Sequence, residues 1–97
     1  MKNDTMTESV IRNVTLENDG SQYSYALIKK ESRRVSSYGM PLYSVEIEFT
    51  DINGNTTSAR AGDIFANIDK AIAFYDKMVK NLATPIDLAY VIEDEMV

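Results

Sequence analysis

The clearest alternation of apolar and polar residues runs over Leu42–Asp51, where every second residue is apolar, a period of two that predicts a β-strand. Its predicted partner is Asn55–Ala61. A three-residue loop, Ile52-Asn53-Gly54, with Gly54 in the left-handed conformation, matches both strand faces and opposes unlike charges. The predicted pairs are Ile47 with Ala59, Val45 with Ala61 and Glu46 with Arg60. A two-residue loop at Asn53-Gly54 would instead place Arg60 opposite Ile47, on the apolar face.

An earlier pair of segments predicts a second hairpin. Ser9–Glu17 and Gln22–Lys30 are rich in β-branched and aromatic residues, which favour strands. Between them lies Asn18-Asp19-Gly20-Ser21, and Asp-Gly favours the type I′ turn of a two-residue loop. The predicted register pairs Leu16 with Tyr23, Val14 with Tyr25, Thr15 with Ser24 and Ile11 with Ile28, and it collects one apolar face.

Helical spacing replaces alternation in the last third of the chain. Asp63-Ile64-Phe65-Ala66 is predicted to be a connecting turn and Asn67 a helix cap. From Ile68 onward the apolar residues fall on one arc about 120° wide, with Phe74 just outside it. Thr84-Pro85-Ile86-Asp87 predicts the start of a second helix, which runs to about Glu95, because threonine caps and proline suits the first helical position.

These elements predict an α+β domain: an antiparallel four-stranded sheet of two hairpins, covered on one face by two C-terminal helices. A further segment begins near Val35 and is interrupted around Gly39-Met40-Pro41, which leaves room for a fifth short piece at an edge, bulge or bend. Residues 1–7 are predicted to be a disordered N-terminal extension, and residues 8–97 a single domain.

Composition excludes several classes of chemistry. The 97 residues include no cysteine and no histidine, which removes thiolate chemistry and the commonest general base and metal ligand. The formal net charge of −5 disfavours nucleic acid and anionic membranes as partners. The chain has neither a secretory signal nor an apolar run long enough to span a bilayer, so a cytoplasmic location is expected. We therefore expect no enzymatic activity, no cofactor and no metal.

Three local patterns resemble functional sites, and each has a simpler explanation. Asp51–Asn55 resembles the start of a calcium loop, but Thr56 and Gly62 stand where that loop needs glycine and glutamate. Glu46 and Glu48 lie about 7 Å apart on one strand face, a spacing more typical of a solvated strand than of paired catalytic acids. The basic run Lys29–Arg34, flanked by Tyr25 and Tyr38, could meet RNA, but a charged loop that protects a sheet edge is favoured.

The C-terminal helix has a wide apolar surface, which covers about 200° of its circumference. Three acids lie at its C-terminal end, where the helix dipole disfavours negative charge: Glu93, Asp94 and Glu95. Two interpretations stay open. The extra apolar face packs on the first helix, whose lysines neutralise the acids, or it binds another chain. The second predicts an interface of Phe74, Leu88, Ile92 and Met96, used by a symmetric homodimer or, alternatively, by a partner with a basic surface.

The ending Ala83-Thr84-Pro85-Ile86-Asp87-Leu88, followed by Val91-Ile92-Glu93-Asp94, resembles the closing motif of a family of small uncharacterised proteins from Gram-positive anaerobic bacteria. Ser37-Tyr38-Gly39 and Asp63-Ile64 are similar to that family as well. The resemblance covers most of residues 10 to 95 and departs from the family in a longer N-terminal extension and in Met40-Pro41. It implies a bacterial, cytoplasmic, single-domain protein and no mechanism.

Two functions from different classes fit these features. The first is a non-enzymatic protein-interaction or regulatory module. The alternative is a small-molecule-sensing domain with a pocket between sheet and helices, lined by Tyr23, Tyr25, Tyr43 and Tyr75. A pocket of roughly 300 Å³ or more would favour sensing over a filled core.

Overall fold

The computed structural model describes residues 6–32 and 41–96. Within them the elements in chain order are β1 (Met6–Asn18), β2 (Ser21–Ser32), β3 (Leu42–Thr50), β4 (Thr56–Phe65), α1 (Ile68–Lys80) and α2 (Pro85–Met96). The strands form one antiparallel sheet in the order β1-β2-β3-β4, and both helices pack on it. The predicted α+β class is confirmed. The segment near Val35 lies outside the described residues, and β1 begins at Met6, inside the extension predicted for residues 1–7.

Both hairpin loops have the predicted conformation. Asp19 and Gly20 have φ values of 53° and 83°, the two positive values that a type I′ turn requires. Gly54 has a φ of 89°, the left-handed position of a three-residue loop. The register confirms the predicted pairs: Leu16 with Tyr23, Val14 with Tyr25, Thr15 with Ser24, Ile47 with Ala59, Val45 with Ala61 and Glu46 with Arg60.

Two local predictions are wrong because the ladder is irregular. Val10, not Ile11, pairs with Ile28, because a bulge at Ile11 inserts one extra residue into β1. The predicted turn over residues 63–66 is instead largely strand, since β4 continues to Phe65. The pairing of β4 with β3 has one register shift, between the Val45–Ala61 and Tyr43–Phe65 pairs, and β4 is paired again at Phe65.

The core lies between the helices and one face of the sheet, the inner face. The central strands supply Tyr25, Leu27, Tyr43, Val45 and Ile47, and α1 supplies Ala71, Phe74, Tyr75 and Met78. Phe74 was predicted just outside the buried arc, but it is 1% exposed. Its ring packs on Phe65, with 5.2 Å between ring centroids. Phe65 is the last residue of β4, within the segment that was predicted to be a turn.

The opposite face of the sheet, the outer face, is polar and concave. Arg60 on β4 contacts Glu8 on β1 at 2.9 Å, although these strands are the two edges of the sheet. In a flat sheet three strand spacings alone amount to roughly 14 Å, and the two residues are also offset along the strands. The contact therefore requires strong coiling of the sheet. Ile28 and Ser44 on the outer face are 5% and 0% exposed.

Candidate interaction site

The structure separates the four residues of the predicted interface. Phe74 and Leu88 are 1% and 3% exposed and belong to the chain's own core. Ile92 is half-buried and packs against that core, and the side chain of Met96 lies outside the described residues. A surface patch around Phe74 and Leu88 is therefore not present. The open interpretation that extra apolar surface packs internally is correct for these two residues.

The apolar surface that α2 leaves exposed is a different stripe. Ile86 and Tyr90 are 78% and 67% exposed, and they are the large apolar side chains of this helix that the structure places in solvent. They stand four residues apart, so they lie on one face of the helix, roughly opposite Leu88. Glu93 continues the stripe after another turn and is also exposed. We call Ile86, Tyr90 and Glu93 the outer stripe of α2.

The helix start fixes the orientation of this stripe. The Thr84 hydroxyl and backbone N–H both donate to Asp87 Oδ2, at 3.0 and 3.1 Å, and Asp87 N–H donates back to Thr84 Oγ1 at 3.4 Å. This reciprocal cap is the one predicted from Thr84-Pro85-Ile86-Asp87. With the first turn held in this way and Leu88 in the core, Ile86 and Tyr90 can only face outward.

Sequence reasoning found both apolar stripes of α2 but chose the wrong one as the surface. The outer stripe carries the same spacing of four residues as Leu88 and Ile92, so periodicity alone does not separate them. Only the placement of the helix on the sheet decides which stripe is buried.

Three of the four tyrosines of the predicted pocket between sheet and helices belong to the core. Tyr25, Tyr43 and Tyr75 are buried. The Tyr25 hydroxyl donates to the Ala83 carbonyl at 2.8 Å, and the Tyr75 hydroxyl donates to the Tyr25 carbonyl at 3.4 Å. Burial, with smaller contributions from Tyr23 and Asp87, raises the pKa of Tyr25 to about 12. These hydrogen bonds hold the loop between the helices onto the sheet.

The calcium-like segment is a hairpin loop held together by its own aspartate. Asp51 Oδ1 accepts the backbone N–H groups of Asn53 and Asn55, both at 2.9 Å, and Oδ2 accepts the Asn55 side-chain amide at 3.3 Å. The hydrogen bond from the Asn55 backbone is the largest of the effects that lower the pKa of Asp51. Among residues 6–32 and 41–96 no group of three or more acidic, histidine or cysteine residues could hold a metal ion.

A shallow cavity of about 240 Å³ lies on the concave outer face. Polar side chains from the first three strands line it, among them Asn13, Thr15, Ser24, Glu46 and Glu48. Glu46 lies 3.6 Å from Arg60, and Thr15 and Ser24 share a hydrogen bond of 3.1 Å. The cavity therefore lies on the face opposite the predicted tyrosine pocket and is smaller than most ligand sites.

Of the basic run, Lys29 lies on β2 and pairs with Glu31 at 3.8 Å, while Arg33 and Arg34 lie outside the described residues. The helices in the described ranges are too short or too polar to cross a bilayer.

No curated protein and no solved structure matches this chain. The profile of a family of unknown function, DUF6514, matches residues 5–97. A match of that length covers nearly the whole chain, and the chain belongs to the DUF6514 family of unknown function.

Proposed function

We propose that this chain is a non-enzymatic protein-interaction module of the bacterial cytoplasm, with a regulatory role, that pairs with a second copy of itself through the outer stripe of α2. The observation that supports it is the exposure of Ile86 and Tyr90, 78% and 67%, on a helix whose other side is in the core. Neighbouring exposed apolar groups often mark an interaction site. Tyrosine is enriched in interfaces because its ring is apolar and its hydroxyl tolerates water.

A second copy is the proposed partner because two-fold self-association is the commonest protein assembly. Around a two-fold axis near Tyr90, the stripes of two α2 helices would face each other. The tyrosines and isoleucines would then form the apolar centre of the contact, and Glu93 would lie at its rim. The non-enzymatic part of the proposal is supported by composition, since the chain has no histidine and no cysteine.

Analytical ultracentrifugation tests this proposal. The wild type is expected to sediment as a dimer, and Tyr90→Asp is expected to weaken dimerisation by roughly thirtyfold or more, the loss that follows from removing a central aromatic anchor. Ile86→Asp should act in the same direction. The matched control is Ala73→Asp, which places the same charge on an exposed position of α1, away from the stripe, and should leave dimerisation unchanged.

Two outcomes would contradict the proposal. One is a wild type that stays monomeric at about 1 mM, a concentration at which even a weak interface of about −4 kcal/mol is half occupied. The other is a dimer that Tyr90→Asp and Ala73→Asp affect equally. Circular dichroism of each variant establishes that the fold is retained, as expected for substitutions at exposed positions.

A further inference from the structure

Strand β4 is an edge of the sheet, since it pairs with β3 alone. The N–H of Asp51 donates to the carbonyl of Asn55 at 2.9 Å, so these two residues form a hydrogen-bonded pair at the end of the ladder. Hydrogen-bonded and non-hydrogen-bonded pairs alternate along an antiparallel ladder. Counting from that pair, the backbone groups of Thr57 and Ala59 face β3.

The same alternation turns the next backbone groups outward. The N–H and C=O groups of Thr56, Ser58 and Arg60 point away from the sheet. These residues are exposed, and in the part of the chain that the structure describes no strand pairs with this side of β4. The edge therefore presents a regular row of backbone donors and acceptors that could bond another strand.

Between Thr56 and Ala61 this edge lacks the usual protection against strand pairing, and the irregularity of β4 comes only after Ala61. Natural edges are guarded by lysine, proline, bulges or charges that point along the edge. Thr56–Ala61 contains neither lysine nor proline. Its one charged residue, Arg60, is drawn back across the outer face, where it contacts Glu8 at 2.9 Å and Glu46 at 3.6 Å. The guanidinium therefore does not guard its own strand.

We infer that β4 pairs antiparallel with β4 of a second copy, around a two-fold axis at Ser58, to form a continuous eight-stranded sheet. This inference rests on the proposed self-association and names a second surface for it. The outward N–H and C=O groups of one copy can bond only the outward groups of the other. Ser58 therefore pairs with Ser58 of the second copy, and Thr56 pairs with its Arg60. Three such pairs exchange about six backbone hydrogen bonds. No like charges meet, and the pairing stays within the regular part of β4, which ends at Ala61.

The position of α2 links this edge to the outer stripe. A five-residue strand is short for a stable interface, which needs roughly 1,000 Å² of buried surface. Among the strands, α2 packs chiefly against β4. A two-fold axis at Ser58 therefore brings the two α2 helices to the same side of the joined sheet, where Ile86 and Tyr90 can supply the remaining apolar contact.

Introducing a charge at Ser58 tests the register, because Ser58 of one copy lies opposite Ser58 of the other only if the two-fold axis passes through this residue. Ser58→Lys and Ser58→Glu each place two like charges side by side, and each is expected to weaken dimerisation by roughly tenfold or more. An equimolar mixture of the two variants should form a heterodimer, because lysine then meets glutamate. The matched control is Thr15→Lys, the same change on the outer face of β1, which should dimerise like the wild type. Ser58→Pro removes an outward N–H and should also prevent pairing.

The outcomes separate this inference from the proposed function. Loss of the dimer in both single variants, with recovery in the mixture, supports the pairing of β4 strands. A dimer that survives all three Ser58 substitutions but is lost in Tyr90→Asp overturns the edge pairing and leaves the α2 contact standing. A dimer lost in the Ser58 variants but kept in Tyr90→Asp overturns the α2 contact alone. A mixture that stays monomeric overturns the axis at Ser58, and a monomeric wild type overturns both surfaces.

Discussion

The two hairpins contribute one edge strand each, and the two edges differ in how they meet solvent. Strand β1 carries a bulge at Ile11, and two of its charged side chains form ion pairs, one on each face. Glu8 pairs with Arg60 across the outer face at 2.9 Å, and Arg12 pairs with Asp76 of α1 at 3.6 Å. Strand β4 has a regular, uncharged edge from Thr56 to Ala59.

One ion pair affects both edges. The ion pair between Glu8 and Arg60 joins β1 to β4 across the outer face, and it also draws the charge of Arg60 away from the β4 edge. Bulges and charges are the features by which natural sheets avoid pairing with other chains. Strand β1 has both features, whereas β4 has neither from Thr56 to Ala59 and becomes irregular only after Ala61. We therefore expect association along this stretch of β4, the strand against which α2 chiefly packs.

Proline substitutions at neighbouring positions of β4 give the largest expected contrast. Thr57→Pro removes a donor that bonds β3 and is expected to lower the free energy of unfolding by roughly 2–3 kcal/mol. Ser58→Pro removes an outward donor and should cost less than about 1 kcal/mol. Urea denaturation at a concentration at which sedimentation shows the variant to be monomeric measures both. Equal losses would contradict the assignment of inward and outward backbone groups.

Alanine substitutions of the two turn glycines compare the hairpins themselves. Gly20 and Gly54 both have positive φ, so each substitution should cost about 1 kcal/mol in backbone strain. A Cβ on Gly20 would also lie 3.2 Å from Ile52 Cδ1, whereas nothing lies within 4 Å of a Cβ on Gly54. Gly20→Ala should therefore be the more destabilising change in thermal denaturation. Adding Ile52→Ala should remove the difference, and an unchanged difference would contradict the steric explanation.

Removing the charges that bridge the sheet should have a smaller effect. Arg60→Gln releases two carboxylates and Arg12→Gln one, and each change is expected to cost less than about 1 kcal/mol because these pairs are solvent-exposed. The loss for Arg60→Gln should be the greater of the two and should shrink at high salt. Denaturation at low and high ionic strength measures this, and a loss independent of salt would point to packing instead.

The smallest effect concerns pH and the second hairpin alone. Hydrogen bonds from the loop backbone, that of Asn55 first, lower the pKa of Asp51. A lowered pKa contributes stability at pH values above the ordinary aspartate pKa, and this contribution is lost as pH falls through the lower folded value. The denaturation series starts at pH 5, about one unit above the ordinary aspartate pKa, and runs to lower pH. Asp51→Asn should lose slightly less stability over this range than the wild type. Identical profiles would contradict this.

Local chemistry explains why much of the fold was predictable from the sequence. Asp19-Gly20 and Gly54 demand positive φ, and this requirement sets both hairpin registers before any tertiary contact is considered. The helix starts were predictable for a similar reason. Asn67 accepts the N–H of Lys70 at 3.1 Å, as expected of a helix cap, and Thr84 and Asp87 cap each other.

The features that sequence reasoning missed all depend on tertiary structure. No glycine or proline marks the bulge at Ile11, which shows only in the pairing of β1 with β2. The extension of β4 to Phe65 is stabilised by the ring of Phe74, a contact across two elements. The choice between the Leu88 and Tyr90 stripes of α2 depends on which way the helix turns on the sheet, and the two stripes have the same spacing.

Backbone amide hydrogen exchange across a range of protein concentrations tests the proposed assembly most directly. The amides of Ser58 and Arg60 point outward, so in a monomer they should exchange freely, while those of Thr57 and Ala59 are protected. If two copies pair along β4, protection of Ser58 and Arg60 should rise with concentration towards that of Thr57. The amide of Thr15, which points outward from β1, should stay unprotected throughout. Free exchange of Ser58 and Arg60 at every concentration would contradict the account.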